Sequence, residues 1–156
     1  MAVTDADVQE LLALLDQGRQ SWIEGKLGFG RGFEVDQDDE MTLFGPFGGE
    51  AIHGTTVLQG RQDRAKSLFN GGTGRCELIR TFVGGDIVTV AQIERNEARV
   101  QGSPEPQAWV LRTTQVFERR GGKWVRLHRH ADPLVDFRPP AATFAIARGE
   151  SPASTR

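Results

Sequence analysis

The chain contains no tyrosine and only one cysteine, Cys76. Because tyrosine is absent, the protein cannot use a phenol as a catalytic acid or as a hydrogen-bond donor to an oxyanion. A single cysteine cannot form a disulfide within the chain, so the fold has to depend on a hydrophobic core. With 156 residues the chain is long enough to bury such a core in one domain. We expect Cys76 itself to be buried and unreactive.

The chain also lacks an excess of charge of either sign, with 19 lysines and arginines against 21 aspartates and glutamates and a formal net charge of −2. Such a balance creates no field that attracts a phosphate backbone or an anionic membrane, so neither is expected as a partner. No apolar run approaches the roughly 18 residues of a transmembrane helix, and the first residues do not resemble a signal peptide. We therefore expect a soluble, cytoplasmic protein.

The sequence does contain a helical part followed by a strand-rich part. Apolar residues recur at three-and-four spacing over residues 4–25, where Thr4 and Asp7 resemble a capping box, and residues 55–69 fit a second amphipathic helix. The predicted strands are 41–44, 76–83, 87–100, 109–120 and 123–132. This order predicts an α+β domain in which helices cover one face of a curved antiparallel sheet.

The predicted domain ends near residue 135. After Pro133 the chain reaches Pro139 and Pro140 and finishes in a mixture of serine, alanine, proline and glycine. We expect residues 1–135 to form the domain and residues 136–156 to form a loosely ordered tail.

The strongest hairpin signal is the Gly121-Gly122 turn between the last two predicted strands. A tight turn there, followed by regular pairing, places Gln115 opposite His128. Side chains alternate along a strand, so every second residue shares a face. The residues on the face of Gln115 are then Trp109, Leu111, Thr113, Gln115, Phe117, Trp124, Arg126, His128, His130 and Asp132. Large apolar side chains mixed with titratable groups favour a ligand pocket beneath the helices.

The most distinctive group on this face is His128, His130 and Asp132, whose spacing on a strand places two imidazoles and a carboxylate side by side. They could transfer protons as general acid and base, with the aspartate orienting a histidine. They could instead satisfy buried polar groups by hydrogen bonding, which is a structural role. A metal site is the third alternative, but no further histidine or cysteine pair is positioned nearby, so we expect neither a metal nor another cofactor.

Three further residues are candidates for the pocket. Glu94 shares the face of the histidines if the 101–108 connection keeps an even register, and its carboxylate could then pair with Arg126 or a histidine. Trp22 and Phe44 are aromatic residues that we expect to line the interior, where packing in the core is favoured over specific ligand contact.

The order of the predicted elements resembles the nuclear transport factor 2-like, cystatin-like α+β fold over residues 4–135. The sharper similarity is confined to residues 109–134, where the ending from Gly122 to Asp132 resembles the closing strand of SnoaL-like members and of the calcium/calmodulin-dependent kinase association domain. In those proteins a Gly-x-Trp turn leads into a His-x-His strand. The resemblance implies a cone-shaped fold, with N-terminal helices on the concave face of a bent antiparallel sheet, and a homodimer through the outer sheet face.

The resemblance implies two classes of function. One is a cofactor-free isomerase, cyclase or dehydratase that acts on a small hydrophobic carbonyl compound. In it Asp132 or His130 moves a proton. Gln115 and Thr113 hydrogen-bond the carbonyl oxygen, because the oxyanion hole of the related ketosteroid isomerases needs a tyrosine that this chain lacks. The other is a non-catalytic ligand-binding or dimerisation module with structural histidines. A cavity that reaches His128, His130 and Asp132 favours the first class, and a filled interior favours the second.

Overall fold

The structure, a computed structural model, describes residues 2–26, 35–54, 56, 59, 60, 63 and 66–150 of the chain. Its elements in chain order are helix α1 (Asp5–Ile23), strands β1 (Val35–Phe44), β2 (Ile52–His53), β3 (Phe69–Gly84), β4 (Ile87–Val100), β5 (Gln107–Arg120) and β6 (Lys123–Pro133), and helix α2 (Pro140–Ala147). Seven of the fifteen residues of the second predicted helix, 55–69, lie outside the described residues, and Phe69 begins β3.

Helix α1 begins with the capping box that the sequence predicts. The Thr4 hydroxyl accepts a hydrogen bond from the Asp7 backbone N–H at 3.2 Å, and the Asp7 carboxylate accepts one from the Thr4 backbone N–H at 2.9 Å. These bonds satisfy N–H groups that have no partner inside the helix. The helix then packs Val8, Leu11 and Leu15 into a buried cluster with residues of the sheet. The predicted helix over residues 4–25 is therefore confirmed.

The six strands form one sheet in the order β2-β1-β6-β5-β4-β3. Neighbouring strands are antiparallel except β1 and β6, which run parallel. The α+β class with a helix on the sheet is confirmed, but the expectation of a purely antiparallel sheet is wrong at this pair. The tight turns before β4 and β6 require antiparallel pairing, whereas β1 and β6 lie far apart in the chain, so no turn sets their relative direction.

The sheet face beneath α1 has apolar ends and a polar middle. One buried cluster consists of Val8, Leu11, Leu15, Val88, Val90, Phe117 and Trp124, and another of Ile23, Phe69 and Ala98. Between these clusters on β4, the same face carries Gln92, Glu94 and Asn96, and all three side chains are buried. Buried polar groups are costly unless they are paired or bind a ligand, so this middle region is where a functional site is expected.

Helix α2 lies in the segment that was expected to be a loosely ordered tail. None of its eight residues is buried, and Phe144 is 62% exposed. A helix of this length is only marginally stable by itself in water, so contact with another surface would stabilise it. Residues 151–156 lie outside the described residues. Neither α1 nor α2 is long and apolar enough to cross a membrane.

Candidate functional site

A β-bulge in β6 decides which side chains of the last hairpin face α1. Near the turn the pairing is regular, with Phe117 opposite Arg126 as the sequence predicts. The next pair is Val116 with His128, so Leu127 is an extra residue on β6. Two residues opposite one define a bulge, and a shift of one residue turns every following side chain to the other face.

The prediction that His128, His130 and Asp132 face the pocket is therefore wrong. All three lie on the outer face of the sheet, and Gln115 pairs with Arg129 rather than with His128. The regular register fails because the extra residue resets the alternation halfway along β6. Since leucine fits a regular strand as well as a bulge, the sequence around Leu127 carries no signal of this change.

On the outer face the two histidines contact β1. The Thr42 hydroxyl and His128 Nδ1 lie 2.7 Å apart, across the parallel pair of β1 and β6. The ring of Phe44 meets the rings of His128 and His130 edge-on, with ring centres 5.7 and 5.4 Å apart. Burial, followed by the charge of His130, lowers the pKa of His128. His128 is therefore a neutral imidazole at pH 7, placed to hold two strands together.

Phe44 and Asp132 also lie away from the space beneath α1. Phe44 is 43% exposed, so the prediction that it lines the interior is wrong. A β-strand turns alternate residues to opposite faces, and Phe44 is on the same side as His130. Asp132 forms an ion pair with Arg112 of β5. Together with the loop after β1, Phe44, His130 and Asp132 border an open depression of about 370 Å³.

The space between α1 and the sheet contains a cavity of about 90 Å³. Among the described residues, its apolar wall consists of Leu15, Trp22, Ile23, Met41, Leu43, Pro46, Trp109 and Leu111. Its polar wall consists of Arg19, Glu94, Asn96, Gln115, Arg126 and Arg129. The structure thus brings together Trp22, Glu94, Trp109 and Gln115, which the sequence predicts for the pocket, with several residues that it does not.

Thr113 and Phe117 face α1 on the same side of the sheet as Gln115, but they do not line the cavity. Thr113 Oγ1 donates to the backbone oxygen of Gln92 at 3.4 Å. Phe117 is fully buried in the first apolar cluster. Both were predicted to line the pocket, and the structure instead places them in the closely packed part of the interior.

The centre of the polar wall is an ion pair between Glu94 of β4 and Arg129 of β6. Two guanidinium nitrogens of Arg129 lie 2.8 and 3.0 Å from the two carboxylate oxygens of Glu94. Burial raises the pKa of Glu94, but the charge and hydrogen bonds of Arg129 outweigh it and hold the pKa below its ordinary value of 4.5. Glu94 is therefore ionised at neutral pH. The bulge turns Arg129 inward to form this pair. Of the predicted partners, Arg126 adds a further positive charge that also lowers the pKa of Glu94, whereas His128 and His130 face outward.

A second arginine, Arg126, is buried on the same wall. Its guanidinium carbon lies 5.3 Å from the centre of the Phe117 ring. Burial and the charge of Arg129 lower the pKa of Arg126 well below its ordinary value, and Glu94 opposes this shift. The wall therefore holds charged groups in a poorly solvated space, where electrostatic interactions are stronger than in water.

Arg19 and Asn96 complete the polar wall, and sequence reasoning identified neither. Arg19 of α1 donates to Asn96 Oδ1 at 2.7 Å and to Asp16 at 2.9 Å. Asn96 in turn donates to the backbone oxygen of Trp109 at 3.0 Å. A signal existed, because Arg19 comes four residues after Leu15 and so continues the apolar face of the helix. A charged residue on such a face points to a buried polar site.

Gln115 of β5 brings an unsatisfied amide to the wall. Its side chain is 1% exposed, and its Oε1 has no hydrogen-bond partner among the described residues. A buried polar atom without a partner costs about 1–3 kcal/mol. A molecule in the cavity that hydrogen-bonds to this amide would therefore be stabilised.

Cys76 faces the same interior but is not a nucleophile at neutral pH. Burial, followed by the negative charges of Glu94 and Asp16, raises the pKa of Cys76 to about 12. The thiol stays protonated, and the reactive thiolate is not populated. Within the described ranges, no group of three or more histidines, cysteines, aspartates or glutamates is placed to hold a metal ion.

No protein-family model matches the chain, and no curated protein matches its sequence. Its structure is similar to a nuclear transport factor 2-like superfamily protein from Salmonella enterica, with a TM-score of 0.70, 14% identity, and coverage of 85% of this chain and 94% of that one. A nuclear transport factor 2-like protein from Pseudomonas putida has a TM-score of 0.64 and 18% identity, over 87% and 99% of the two chains. The CaMKII hub homology domain of Chlamydomonas reinhardtii has a TM-score of 0.64 and 18% identity, over 82% and 98%.

Identities this low establish the fold alone. The predicted nuclear transport factor 2-like, cystatin-like α+β fold is confirmed. Proteins of one fold carry many unrelated functions, so the function has to be argued from the cavity and its wall.

Proposed function

We propose that the protein is a cytoplasmic, SnoaL-like ligand-binding protein that holds a small, largely apolar molecule in the cavity beneath α1. One observation carries the proposal, namely a cavity with mainly apolar walls on which Gln115 has an unsatisfied amide oxygen. Mostly apolar cavities with a few polar groups are typical of small-molecule sites. One water molecule needs roughly 10–15 Å³ of such space, so the cavity of about 90 Å³ is roughly six to nine times as large as one water needs. That size suits a compact ring.

Binding without catalysis is the better supported of the two predicted classes. General acid–base catalysis at neutral pH works best with a group whose pKa is near 7. On the described wall, Arg129 holds the carboxylate of Glu94 in its ionised form. The histidines that could take this role face outward, away from the cavity. These observations favour a ligand-binding module over an isomerase, cyclase or dehydratase.

Filling the cavity tests whether it is open. Replacing Leu111, on the wall, with phenylalanine is expected to change the free energy of unfolding by less than about 1 kcal/mol, because the added atoms enter empty space. The matched substitution Leu11→Phe, in the packed cluster, is expected to lower the free energy of unfolding by about 1–3 kcal/mol. Denaturant unfolding measures both, and equal losses at the two positions would contradict an open cavity.

The same variant tests the function. Wild-type protein is expected to bind benzene, detected by calorimetry or by shifts of the Trp22 and Trp109 indole resonances, and Leu111→Phe is expected to abolish this binding. Leu11→Phe leaves the wall intact and should retain it wherever the variant is folded. A wild-type protein that binds no ring-sized molecule would overturn the proposal.

We also propose a homodimer formed through the outer face of the sheet. This face carries the partly exposed side chains of Val110, Val116 and Leu127. Helix α2 adds apolar residues, none of them buried in the single chain. A hub homology domain has the same fold, and a second copy of the chain would cover these groups.

Replacing Val116 with aspartate is expected to convert the dimer into a monomer, because a charge without a partner would be buried in the interface. Light scattering gives the mass, and circular dichroism shows whether the fold is kept. Gln101→Asp, in the turn between β4 and β5, is the control and should remain dimeric. The interface would be refuted if the wild-type protein had the mass of a single chain, or if Val116→Asp had the same mass as the wild type.

A further inference from the structure

We infer that the ligand carries a hydroxyl group that hydrogen-bonds to the amide of Gln115, an inference that rests on the small-molecule function proposed above. Gln115 is buried on the cavity wall, and its Oε1 has no hydrogen-bond partner among the described residues. Rotation about the last side-chain bond of glutamine is soft, so either end of the amide can turn towards a bound molecule. The acceptor oxygen of Gln115 is the atom without a partner among the described residues, and a turn of the amide would present its NH2 group as a donor instead.

A hydroxyl group fits this amide better than other small polar groups. It can donate to Oε1 and it can also accept from an N–H, so it serves either orientation of the amide. A carbonyl or ether oxygen only accepts and would leave Oε1 without a donor. An ammonium group donates, but it would bring a positive charge to a wall that already holds Arg126 and Arg129.

The rest of the wall requires an apolar body. The indoles of Trp22 and Trp109 lie on it together with the aliphatic side chains of Leu15, Leu43 and Leu111. A cavity of about 90 Å³ suits a six-membered ring with one substituent. Phenols and small cyclic alcohols combine this body with a hydroxyl group.

The inference is tested by titrating the wild-type protein with phenol, benzene and benzoate by calorimetry at pH 7. Phenol is expected to bind about fivefold more tightly than benzene, the ratio that one net hydrogen bond of ordinary strength provides. In Gln115→Met this preference is expected to disappear, because methionine has a similar length and no amide. Thr113→Val is the matched control, since Thr113 is buried on the same face of β5 but lies off the wall, and it should keep the preference.

The outcomes separate this inference from the proposed function. Equal affinity for phenol and benzene in the wild type would overturn the hydroxyl assignment and leave small-molecule binding intact. Benzoate binding more tightly than phenol would overturn it in favour of a carboxylate. Failure of all three to bind would overturn both proposals. Because the phenol and benzene comparison uses the wild type, the test does not depend on Gln115→Met being folded.

Discussion

Replacing Glu94 with glutamine is expected to lower the free energy of unfolding by about 3–5 kcal/mol. The substitution keeps the shape of the side chain but removes the negative charge that pairs with Arg129 at 2.8 and 3.0 Å. Arg129, whose side chain is 16% exposed, would then remain beside the buried Arg126 without its counter-charge, and most of the hydration that the two guanidinium groups lost on folding would not be recovered. Urea-induced unfolding measures the loss.

Glu77 provides the matched control, because it pairs with Arg95 at 2.7 Å on the solvent-exposed side of neighbouring strands. Its side chain is 42% exposed and that of Arg95 is 35% exposed, so Glu77→Gln is expected to cost about 1 kcal/mol at most. The double variant Glu94→Gln with Arg129→Met should recover most of the loss, since both charges are removed together. A loss at Glu94 no larger than that at Glu77 would contradict the buried ion pair.

The same pair predicts a dependence of stability on pH. The pKa of Glu94 is below its ordinary value of 4.5, so its contribution is fully present above that value and is lost as the pH falls through the lowered pKa. The stability difference between wild type and Glu94→Gln should therefore be constant from pH 7 to about pH 5 and should shrink under more acidic conditions. A difference that stays constant in acid would mean that the charge of Glu94 is not what stabilises the pair.

Replacing Phe117 with alanine is expected to cost about 3–5 kcal/mol of unfolding free energy. The ring is fully buried in the cluster that holds α1 on the sheet, and the guanidinium of Arg126 lies over it at 5.3 Å. Truncation removes these contacts and leaves a void that closely packed neighbours can fill only in part. Thermal or denaturant unfolding measures the effect.

Phe44→Ala is the control for Phe117→Ala, because the sequence predicts both rings in one pocket and the structure separates them. Phe44 is 43% exposed on the outer face, where its packing partners are the rings of His128 and His130. Its truncation is expected to cost about 1 kcal/mol. Similar losses for the two variants would indicate that Phe44 is buried as well. Because Phe44 lies on the same side of the sheet as His130, this result would argue against the bulge at Leu127 and for the regular register.

Local sequence signals located most elements of the fold. Thr4 and Asp7 marked the start of α1, and the Gly121-Gly122 turn located the hairpin and its first pairs correctly. Such features depend on residues a few positions apart, so they can be recognised in the sequence. For the site, alternation from the turn placed Gln115 on the wall but also placed His128 there. The placement of Gln115 is correct because the alternation of β5 is unbroken, whereas His128 follows the extra residue on β6.

The sequence by itself determined the fold class, the order of α1, β1 and β3 to β6, and the absence of a tyrosine-based site, because composition, periodicity and turn chemistry are local properties. Only the tertiary structure decided which charged groups meet. Glu94 and Arg129 are 35 positions apart, and they face each other because one extra residue, Leu127, turns the end of β6 over. A bulge depends on how β6 fits β5 and β1 at once, and a shift of one residue exchanges the two faces of a strand. That exchange moved the histidines outward and placed Arg129 beside Glu94 and Arg126 on the cavity wall.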